Sequence, residues 1–526
     1  MKLALGQINP TVGDLKWNAA QMIELIAEAK KEKVDLVIFP ELATTGYPPE
    51  DLLLKPQFIA DNLAVLKEIA KAAKGIAVYV GYVDKKGEKL FNAGAFIVAG
   101  KIKAVYHKMN LPNYSVFDEK RYFTAGTKPV IVNFLGWKIG LGICEDIWVD
   151  KSPYCNKVDL IININASPYH LGKVREREKM LSAKAKSAKS HIAYVNMVGG
   201  QDELIFDGGS MLIDPKGKLV AACEQYQEEL LIIDIENNRM ENQWMDEALE
   251  IYGALVLGTR DYIQKNGFGG VVVGLSGGID SALTLAVAVD ALGKEKVHAI
   301  FMPSQYSAEQ SRQDAKKVAE NLGVEFAEIP IKEVFAQYLD TLTPHFMGRP
   351  ADCTEENLQA RIRGNYLMAL SNKFGWLVLT TGNKSEMSTG YCTLYGDMAG
   401  GFAVLKDVPK TTVYELVKWR NKQGEVVPGS VIDRPPTAEL KPNQTDQDTL
   451  PPYDILDGIM KAYVEDNKST NEIVKQGFDA DIVKKVVAMI DRSEYKRRQA
   501  PPGPRISRRA FGKDWRPPIT SHYLAA

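Results

Sequence analysis

The sequence contains few cysteines and histidines and no long hydrophobic run. Only five of its 526 residues are cysteine and six are histidine, with no CxxC pair and no Cys/His cluster. Neither a disulfide framework nor a zinc site is therefore expected. The sequence contains no run of about 18 apolar residues, which argues against a membrane span. The first apolar stretch ends at Gly6, short of the roughly 7–15 residues of a signal peptide. A reducing cytoplasm is the expected location.

The sequence also lacks an excess of charge of either sign. Its 65 Lys and Arg residues balance 66 Asp and Glu residues, which leaves a net charge of −1. This balance gives no electrostatic argument for a nucleic-acid or membrane partner, and neither is expected. A length of 526 residues predicts about two to four domains. We find no internal repeat, and the function must be inferred from local motifs.

The first half of the chain alternates short apolar runs with helical patterns. Asn18–Lys31 has the periodicity of an amphipathic helix. Many of the apolar runs are β-branched and predict strands buried on both sides, which favours a layered α/β fold. The predicted strands are Leu3–Ile8, Val34–Phe39, Ile76–Val83, Gly94–Val98, Ile102–Tyr106, Lys138–Ile143, Leu160–Ile164, Ile192–Val198, Ser210–Ile213 and Leu230–Ile235.

A polar segment at 236–243 predicts a linker between two domains, 1–240 and 241–526. After it, a long helix is predicted at Glu247–Lys265 and another at Ser307–Asn321. Repeated alternation of strand and helix predicts an open, doubly wound parallel sheet. The tail from Ile432 is rich in Pro, Arg and Lys, and we expect it to be ordered, loop-rich and placed over a site. The predicted strands of this half are Val271–Leu275, Val297–Met302, Val324–Ile329 and Trp376–Leu379.

A glycine-rich loop joins the first of these strands to the next helix. Strand, small residues and helix together present several backbone N–H groups to one anion. Asp280 would repel a bare phosphate, so its presence indicates a bridging Mg²⁺. The loop contains neither the Gly-Lys-Ser/Thr of a Walker A motif nor GxGxxG. Its residues are Gly274, Leu275, Ser276, Gly277, Gly278, Ile279, Asp280 and Ser281.

This loop resembles the pyrophosphate loop of the N-type ATP pyrophosphatases. The later motifs ENLQAR, LTTGNKSE, YGD, VPK, PPTAE and SEYKRR occur in an order that resembles the NAD synthetases across residues 250–526. The resemblance implies that ATP is contacted by Thr381, Lys410 and, from the tail, Thr437. It implies that Glu386 joins Asp280 at magnesium. The deamido-NAD ligands that it implies are Asn357, Arg361, Glu386 and Lys496.

Two of these residues also have simpler interpretations. Arg361 could be a surface helix residue that pairs with a side chain one turn away, and Lys496 could be one of many solvated cations in the tail.

Three segments of the first half each follow the carboxyl end of an apolar run: Phe39–Glu41, Tyr106–Lys108 and Gly142–Glu145. In a layered α/β fold such strand ends gather on one rim. Glu41, Lys108 and Cys144 would suit amide hydrolysis: the carboxylate takes the thiol proton, the sulfur attacks the amide carbon, and the lysine stabilises the oxyanion and raises the thiolate fraction. The simpler alternatives are a buried apolar cysteine and a surface ion pair.

This order resembles the Glu-Lys-Cys triad of the nitrilase superfamily, and the resemblance extends from Met1 to about Ile235. It implies an α-β-β-α sandwich with Glu119 as a second acid near the site. Relatives often have Arg where this chain has Lys173, which keeps the charge but loses the bidentate fork. The glutamine contacts that the resemblance implies are Tyr114, Glu145, Ser167 and Lys173. Cysteines without such surroundings are expected to be structural: Cys155, Cys223, Cys353 and Cys392.

Together the two halves resemble the glutamine-dependent NAD synthetases. The resemblance implies glutamine hydrolysis at one site, internal passage of ammonia, and ATP- and Mg²⁺-dependent amidation of deamido-NAD through an adenylate at the other. It also implies a homo-oligomer in which neighbouring subunits help to build the glutaminase site. One alternative is amidation of another carboxylate, as in GMP or asparagine synthetases, which the nitrilase-like half disfavours. Another is an inactive nucleotide-sensing module, which the intact triad disfavours.

Overall fold

The computed structural model describes residues 1–149, 158–236, 244–442 and 444–523. The chain divides into two compact units, Met1–Glu247 and Ala248–Ala526. Cys155 and all of the expected linker except Glu236 lie outside the described residues. Across the described ranges, none of the helices combines the length and the apolar character that crossing a bilayer requires.

The first unit contains two six-stranded sheets. The order of the first sheet is β14-β1-β2-β3-β4-β5, that of the second is β13-β12-β9-β8-β7-β6, and β10 pairs with β11. The strands are β1 (Lys2–Gln7), β2 (Leu36–Ile38), β3 (Ala77–Lys86), β4 (Lys89–Val98), β5 (Lys101–His107), β6 (Val130–Phe134), β7 (Trp137–Ile143), β8 (Leu160–Asn165), β9 (His191–Asn196), β10 (Val198–Gln201), β11 (Leu204–Asp207), β12 (Met211–Ile213), β13 (Leu219–Ala222) and β14 (Glu229–Asp234).

Helices cover the outer faces of these two sheets. Side chains alternate between the faces of a strand, so Leu3 and Leu5 of β1 pack in the core shared with the second sheet while Ala4 faces helices on the other side. The helices packed in the core with Ala4 are α1 and α2, whereas α3 packs on β9 and β12. The predicted α-β-β-α sandwich is therefore confirmed. The three helices are α1 (Leu15–Lys31), α2 (Pro56–Ala72) and α3 (Lys173–Ala188).

The second unit is built on one parallel sheet with the order β17-β16-β15-β18-β19. Its strands are β15 (Gly270–Gly274), β16 (Val297–Phe301), β17 (Glu325–Glu328), β18 (Trp376–Thr380) and β19 (Phe402–Ala403). The chain leaves β15 on one side toward β16 and later returns on the other side as β18. The ends of β15 and β18 therefore border the crevice where open α/β sheets bind ligands. The predicted doubly wound sheet is confirmed.

The remaining α-helices pack around this sheet or lie in the tail. They are α4 (Glu247–Lys265), α5 (Ile279–Leu292), α6 (Glu309–Leu322), α7 (Lys332–Leu342), α8 (Cys353–Phe374), α9 (Lys384–Thr389), α10 (Lys410–Asn421), α11 (Gly429–Asp433), α12 (Tyr453–Met460), α13 (Thr470–Val474), α14 (Ala480–Arg492) and α15 (Glu494–Arg497).

Some elements differ from the sequence predictions. The tail is more helical than expected, because α14 buries Val483, Val486, Val487 and Ile490 on one helical face. Strands β11 and β13 have four residues each, too few for a periodic pattern to be recognised. The strand predicted at Ile192–Val198 is in fact two strands, β9 and β10, in different sheets.

A buried ion pair ties α3 to β11 and to the segment that follows β8. Arg177 is fully buried, and its two terminal nitrogens lie 3.0 and 2.7 Å from the carboxylate oxygens of Asp207. One of them also donates to the Ser167 carbonyl at 2.9 Å. The pair therefore holds the loop that carries Ser167.

We predict that Arg177→Met lowers the free energy of unfolding of the first unit by about 3–5 kcal/mol, because Asp207 is left as an unpaired buried charge. Urea unfolding of the full chain measures this change. Arg121→Met is the matched control: Arg121 lies 3.6 Å from Asp51, with the two side chains 57% and 66% exposed. No measurable shift is expected there, and equal effects of the two substitutions would contradict the prediction.

Candidate active sites

The first site is a buried ion cluster centred on Lys108. The Lys108 ammonium lies 2.7 Å from a carboxylate oxygen of Glu41 and 2.7 Å from one of Glu119. All three side chains are at most 4% exposed. Ion pairs that are removed from water in this way interact strongly and hold their geometry. The sequence-predicted Glu-Lys pair is thus a buried cluster rather than a surface ion pair.

The ends of three strands bring this cluster to the cysteine. Glu41 follows β2, Lys108 follows β5 directly, and Cys144 follows β7 as the first residue of a 3₁₀ helix, Cys144–Ile147. Cys144 is buried and has a φ of +43°. Left-handed backbone at a non-glycine residue is strained and is concentrated at functional sites. The structure therefore joins the three predicted side chains at one rim and gives Cys144 a backbone that the sequence did not indicate.

Burial and mutual charge set the protonation of this cluster. Burial alone would lower the pKa of Lys108, but Glu119 and Glu41 raise it well above its usual value. Burial is also the main reason that the pKa of Glu119 is raised, to about 7, with Lys108 opposing and Glu41 adding to the shift. Burial and Glu41 raise the pKa of Cys144 well above the ordinary range, although Lys108 lowers it. Lys108 thus favours the thiolate, as expected, but burial and Glu41 outweigh it, and the net shift favours the thiol.

Two residues that the sequence interpretation missed complete the cluster. The Asn92 amide donates to Glu41 at 2.7 Å, and the Tyr47 hydroxyl donates to Glu119 at 3.0 Å. The backbone N–H of Ala166 donates to the other oxygen of Glu41 at 2.8 Å. Asn92 could have been noticed in the sequence, because it is a polar residue within the mostly apolar strand β4. The sequence carried no comparable signal for Tyr47.

The four expected glutamine contacts have different surroundings. Tyr114 is 56% exposed, and its hydroxyl donates to Glu145 at 3.0 Å. Ser167 is buried, and its backbone N–H donates to the Asn196 side chain at 2.8 Å. Lys173 lies in the first turn of α3, and its ammonium is 4.2 Å from the ring centre of Trp148. Burial lowers the pKa of Lys173. Tyr114 and Glu145 touch directly, whereas Ser167 and Lys173 are held by separate partners.

The second site is a cavity of about 630 Å³ in the second unit. It lies at the ends of β15 and β18, where the sheet topology predicts a ligand crevice. All eight residues of the glycine-rich loop line it. Other residues of the cavity wall include Met302, Glu356, Asn357, Arg363, Thr381, Glu386, Lys410, Arg434, Thr437 and Lys496.

Hydroxyl groups fasten the glycine-rich loop at the start of α5. The Ser281 hydroxyl accepts from the backbone N–H of Ser276 at 3.2 Å and donates to the Gly278 carbonyl at 2.9 Å. Ser276 accepts in turn from the N–H of Gly278 at 3.2 Å. Gly277 has a φ of +82°, and a Cβ there would lie 2.3 Å from the Ser311 carbonyl oxygen. The loop shape therefore requires glycine at position 277.

A second buried lysine faces two carboxylates in this cavity. Lys410 forms an ion pair with Asp280, and the Asn383 amide donates to the other oxygen of Asp280 at 2.9 Å. Burial alone would lower the pKa of Lys410, but Asp280 and Glu386 raise it. Burial and the charge of Asp280 raise the pKa of Glu386 well above its usual value. Asp280 and Glu386 are thus close enough to repel each other.

These two carboxylates fit a magnesium site that is completed by phosphate oxygens. In the part of the chain that the structure describes, no three His, Cys, Asp or Glu side chains group as a metal site. Mg²⁺ at nucleotide sites is typically held by one or two carboxylates together with substrate phosphates, and its ligands are oxygen. Asp280 and Glu386 both line the cavity and supply such oxygens. A divalent cation would also relieve their repulsion.

The remaining predicted residues of the second half do not all reach the cavity. Thr381 and Thr437 line it. Asn357 also lines it and accepts from the Thr393 hydroxyl at 2.7 Å. Arg361 is not among the cavity-lining residues, and its Nε donates to the Leu394 carbonyl at 3.2 Å.

Lys496 reaches the cavity but does not behave as a solvated tail cation. It donates to the carbonyls of Gly390 and Cys392 at 2.7 and 2.8 Å, and so it shapes the wall. Arg363, two residues beyond Arg361 on α8, faces the cavity instead and donates to the Met302 carbonyl at 2.9 Å.

Two of the cysteines that were expected to be structural lie at the cavity of the second unit. Cys353 is exposed, Cys392 is partly buried, and both border the cavity. Cys223 is buried in the core of the first unit, as expected.

Comparison with known proteins identifies the family. Residues 2–243 match the carbon-nitrogen hydrolase family and residues 251–500 match the NAD synthase family. The chain is 47% identical to a glutamine-dependent NAD(+) synthetase of Thermotoga maritima, with 99% of both chains covered. It is 49% identical to one of Acinetobacter baylyi, covering 99% of this chain and 98% of the relative. The chain belongs to the glutamine-dependent NAD(+) synthetase family.

Solved structures agree with this membership. A glutamine-dependent NAD+ synthetase of Acinetobacter baumannii, in complex with ADP, is similar to this chain with a TM-score of 0.81 and 45% identity, covering 100% of this chain and 99% of that one. A second, from Cytophaga hutchinsonii, has a TM-score of 0.87 at 24% identity and covers 99% and 98%. At that identity the second likeness shows the fold alone.

We predict that Gly277→Ala destabilises the second unit by more than about 1 kcal/mol, because alanine is strained at positive φ and its Cβ would meet the Ser311 carbonyl. Thermal unfolding without nucleotide measures the change. Gly278→Ala is the matched control, since a Cβ there meets only the Ser276 hydroxyl, at 3.3 Å. If the Gly277→Ala and Gly278→Ala proteins unfolded at the same temperature, the loop would tolerate a side chain at position 277 and the prediction would be wrong.

Proposed function

We propose that this protein amidates deamido-NAD to NAD with ATP, using ammonia that its first unit releases from L-glutamine. The observation that carries the proposal is the pairing, in one chain, of a buried Cys144 cluster with a cavity lined by a glycine-rich phosphate loop. Its relatives of about half-identical sequence are named for this activity. The products would be NAD, AMP, diphosphate and L-glutamate.

In the first unit, Glu41 would act as the general base. It accepts the Cys144 proton as the sulfur attacks the glutamine amide carbon, and Lys108 stabilises the oxyanion that forms. Glu41 then returns the proton to the departing nitrogen, so that ammonia leaves and a thioester remains. Water, deprotonated by Glu41, hydrolyses the thioester to glutamate. A resting thiol suits this scheme, because the base receives the proton only when substrate is present.

The glutamine would be held beside the cluster by Tyr114, Glu145, Ser167 and Lys173. A cation at Lys173 suits the α-carboxylate of glutamine, and the Glu145 carboxylate suits its α-ammonium. Both groups occur only on the amino-acid end of the substrate. These contacts would therefore select glutamine over simple amides.

In the second unit, the cavity would bind ATP and deamido-NAD together. A carboxylate is a poor electrophile, so ATP must first convert it into an acyl adenylate with diphosphate as the leaving group. The N–H groups of the loop from Gly274 to Ser281 and the Lys410 ammonium would hold the phosphates. Asp280 and Glu386 would hold Mg²⁺, which supplies Lewis-acid neutralisation of phosphate charge when bound. Ammonia then attacks the activated carbonyl and AMP departs.

The other residues would complete the two substrate subsites. Thr381 and Thr437 would contact ATP, while Asn357, Glu386 and Lys496 would border deamido-NAD. Arg361, whose Nε donates to the Leu394 carbonyl, stays a predicted ligand of deamido-NAD. Cytoplasmic localisation and homo-oligomeric assembly stay predictions from the sequence.

We predict that Cys144→Ala lowers glutamine-dependent NAD formation by more than about 1,000-fold, as expected when a covalent nucleophile is removed. NAD formation from ammonium chloride at alkaline pH should be unchanged, because it needs only the second unit. Mass spectrometry of the product from deamido-NAD and ATP measures both rates. Cys223→Ala, at another buried cysteine of the same unit, should keep both. Full glutamine-dependent activity of Cys144→Ala would refute the proposed function.

We predict that Glu386→Gln raises the Mg²⁺ concentration for half-maximal ammonia-dependent activity by at least about 10-fold, since altering the ligand environment of a metal site typically costs that much. Glutamine hydrolysis by the same variant should not change. Glu356→Gln is the control: Glu356 also lines the cavity but pairs with Lys441 at 3.2 Å. An identical Mg²⁺ dependence for the two variants would exclude Glu386 as a ligand.

A further inference from the structure

The first site contains a buried carboxylate that the proposed chemistry does not use. Asp146 is 1% exposed and occupies the third position of the short 3₁₀ helix that begins at Cys144. Burial raises its pKa, and hydrogen bonds from Tyr106 and Asn110 oppose that shift. A buried carboxylate is costly unless donors satisfy its oxygens, so its partners indicate what it does.

Five donors surround the Asp146 carboxylate. One oxygen accepts from three donors: the backbone N–H of Met109 at 3.2 Å, that of Asn110 at 2.8 Å and the Asn110 side chain at 2.9 Å. The other accepts from the Tyr106 hydroxyl at 2.8 Å and from the backbone N–H of Ile143 at 3.3 Å.

The positions of these donors flank two reacting residues. Ile143 immediately precedes Cys144, while Tyr106 precedes Lys108 by two residues and Met109 follows it directly. Strand β5, which leads to Lys108, belongs to the first sheet, and β7, which leads to Cys144, belongs to the second. The Asp146 carboxylate therefore ties together two strand ends that no sheet hydrogen bonds join.

We propose that Asp146 is a positioning residue that sets the distance between Cys144 and Lys108. The proposal rests on the glutaminase function proposed above. It explains how Cys144 keeps a strained φ of +43°, since backbone strain persists only where surrounding contacts over-determine it. It also explains why a carboxylate is needed: all five partners are donors, and only a carboxylate offers acceptors on both oxygens.

The test is the substitution Asp146→Asn in the full chain. The asparagine amide nitrogen cannot accept a hydrogen bond. In one orientation of the amide the donors Ile143 N–H and Tyr106 hydroxyl lose their shared acceptor, and in the other orientation the donors from 109–110 lose theirs. We expect the kcat for glutamine hydrolysis to fall about 100-fold, as for a displacement of about 1 Å at a reacting group. The KM for glutamine should stay within about twofold, because substrate contacts are unaltered. Ammonia-dependent NAD formation should be unchanged and reports that the second unit is intact.

A purely structural role would not move the titration of the Cys144 sulfur. Lys108 lowers the pKa of Cys144, so separating the two groups should shift the pH midpoint of Cys144 alkylation by iodoacetamide upward. Peptide mass spectrometry separates this cysteine from the exposed Cys353. Asp159→Asn is the matched control. Asp159 accepts from the Lys138 N–H at 2.8 Å, at the opposite end of β7, and its variant should keep both the kcat and the alkylation profile.

A second variant keeps the proposal testable if Asp146→Asn does not fold. Asn110→Ala removes one donor to Asp146 and leaves the carboxylate in place; a smaller loss of kcat, with an upward shift of the same profile, is expected. Unchanged kcat and profile in a folded Asp146→Asn protein would overturn the positioning role. If Asp146→Asn is unchanged in this way while Cys144→Ala abolishes glutamine-dependent activity in the same assay, only the role of Asp146 is refuted and the proposed function stands.

Discussion

A buried lysine beside two carboxylates is the interaction on which the proposed chemistry of each unit depends. Lys108 contacts Glu41 and Glu119 in the first unit, and in the second Lys410 contacts Asp280 with Glu386 nearby. In both places burial alone would favour the neutral lysine, and the carboxylates reverse that preference. Each cation is therefore kept charged without water, which is the state in which it stabilises an oxyanion or a phosphate most strongly.

The same balance explains what the acids can do. In each unit burial, together with the charge of the second carboxylate, raises the pKa of one acid: Glu119 in the first unit and Glu386 in the second. In the first unit burial and the charge of Glu41 raise the pKa of Cys144, which favours the protonated sulfur. In the second unit the two carboxylates would suit a divalent cation. The two units thus contain one electrostatic arrangement, to which the proposed function assigns different reactions.

Sequence patterns identified most of the strands, the glycine-rich loop and the candidate catalytic residues because each is a local signal. Buried strands such as β18 are short, mostly apolar runs. The shape of the loop from Gly274 to Ser281 depends on hydrogen bonds between residues close in sequence, and its pattern is that of a phosphate-binding loop. The residues that contact these candidate catalytic residues or line the cavity were not predictable in the same way. Asn92 and Tyr47 lie far in sequence from the acids they contact, and Arg363 rather than Arg361 faces the cavity because a helix turns about 100° per residue.

The sequence by itself determined the two fold classes, the family resemblance and which side chains have the right chemistry. Only the tertiary structure decided that Glu41, Lys108 and Cys144 share one rim, that Asp146 joins the strand ends leading to Lys108 and Cys144, and that burial raises the pKa of the Cys144 thiol. The physical reason is that residue type and spacing are local, whereas burial and the distances between charges depend on segments brought together by folding. A pKa or a hydrogen-bond partner is a property of those distances.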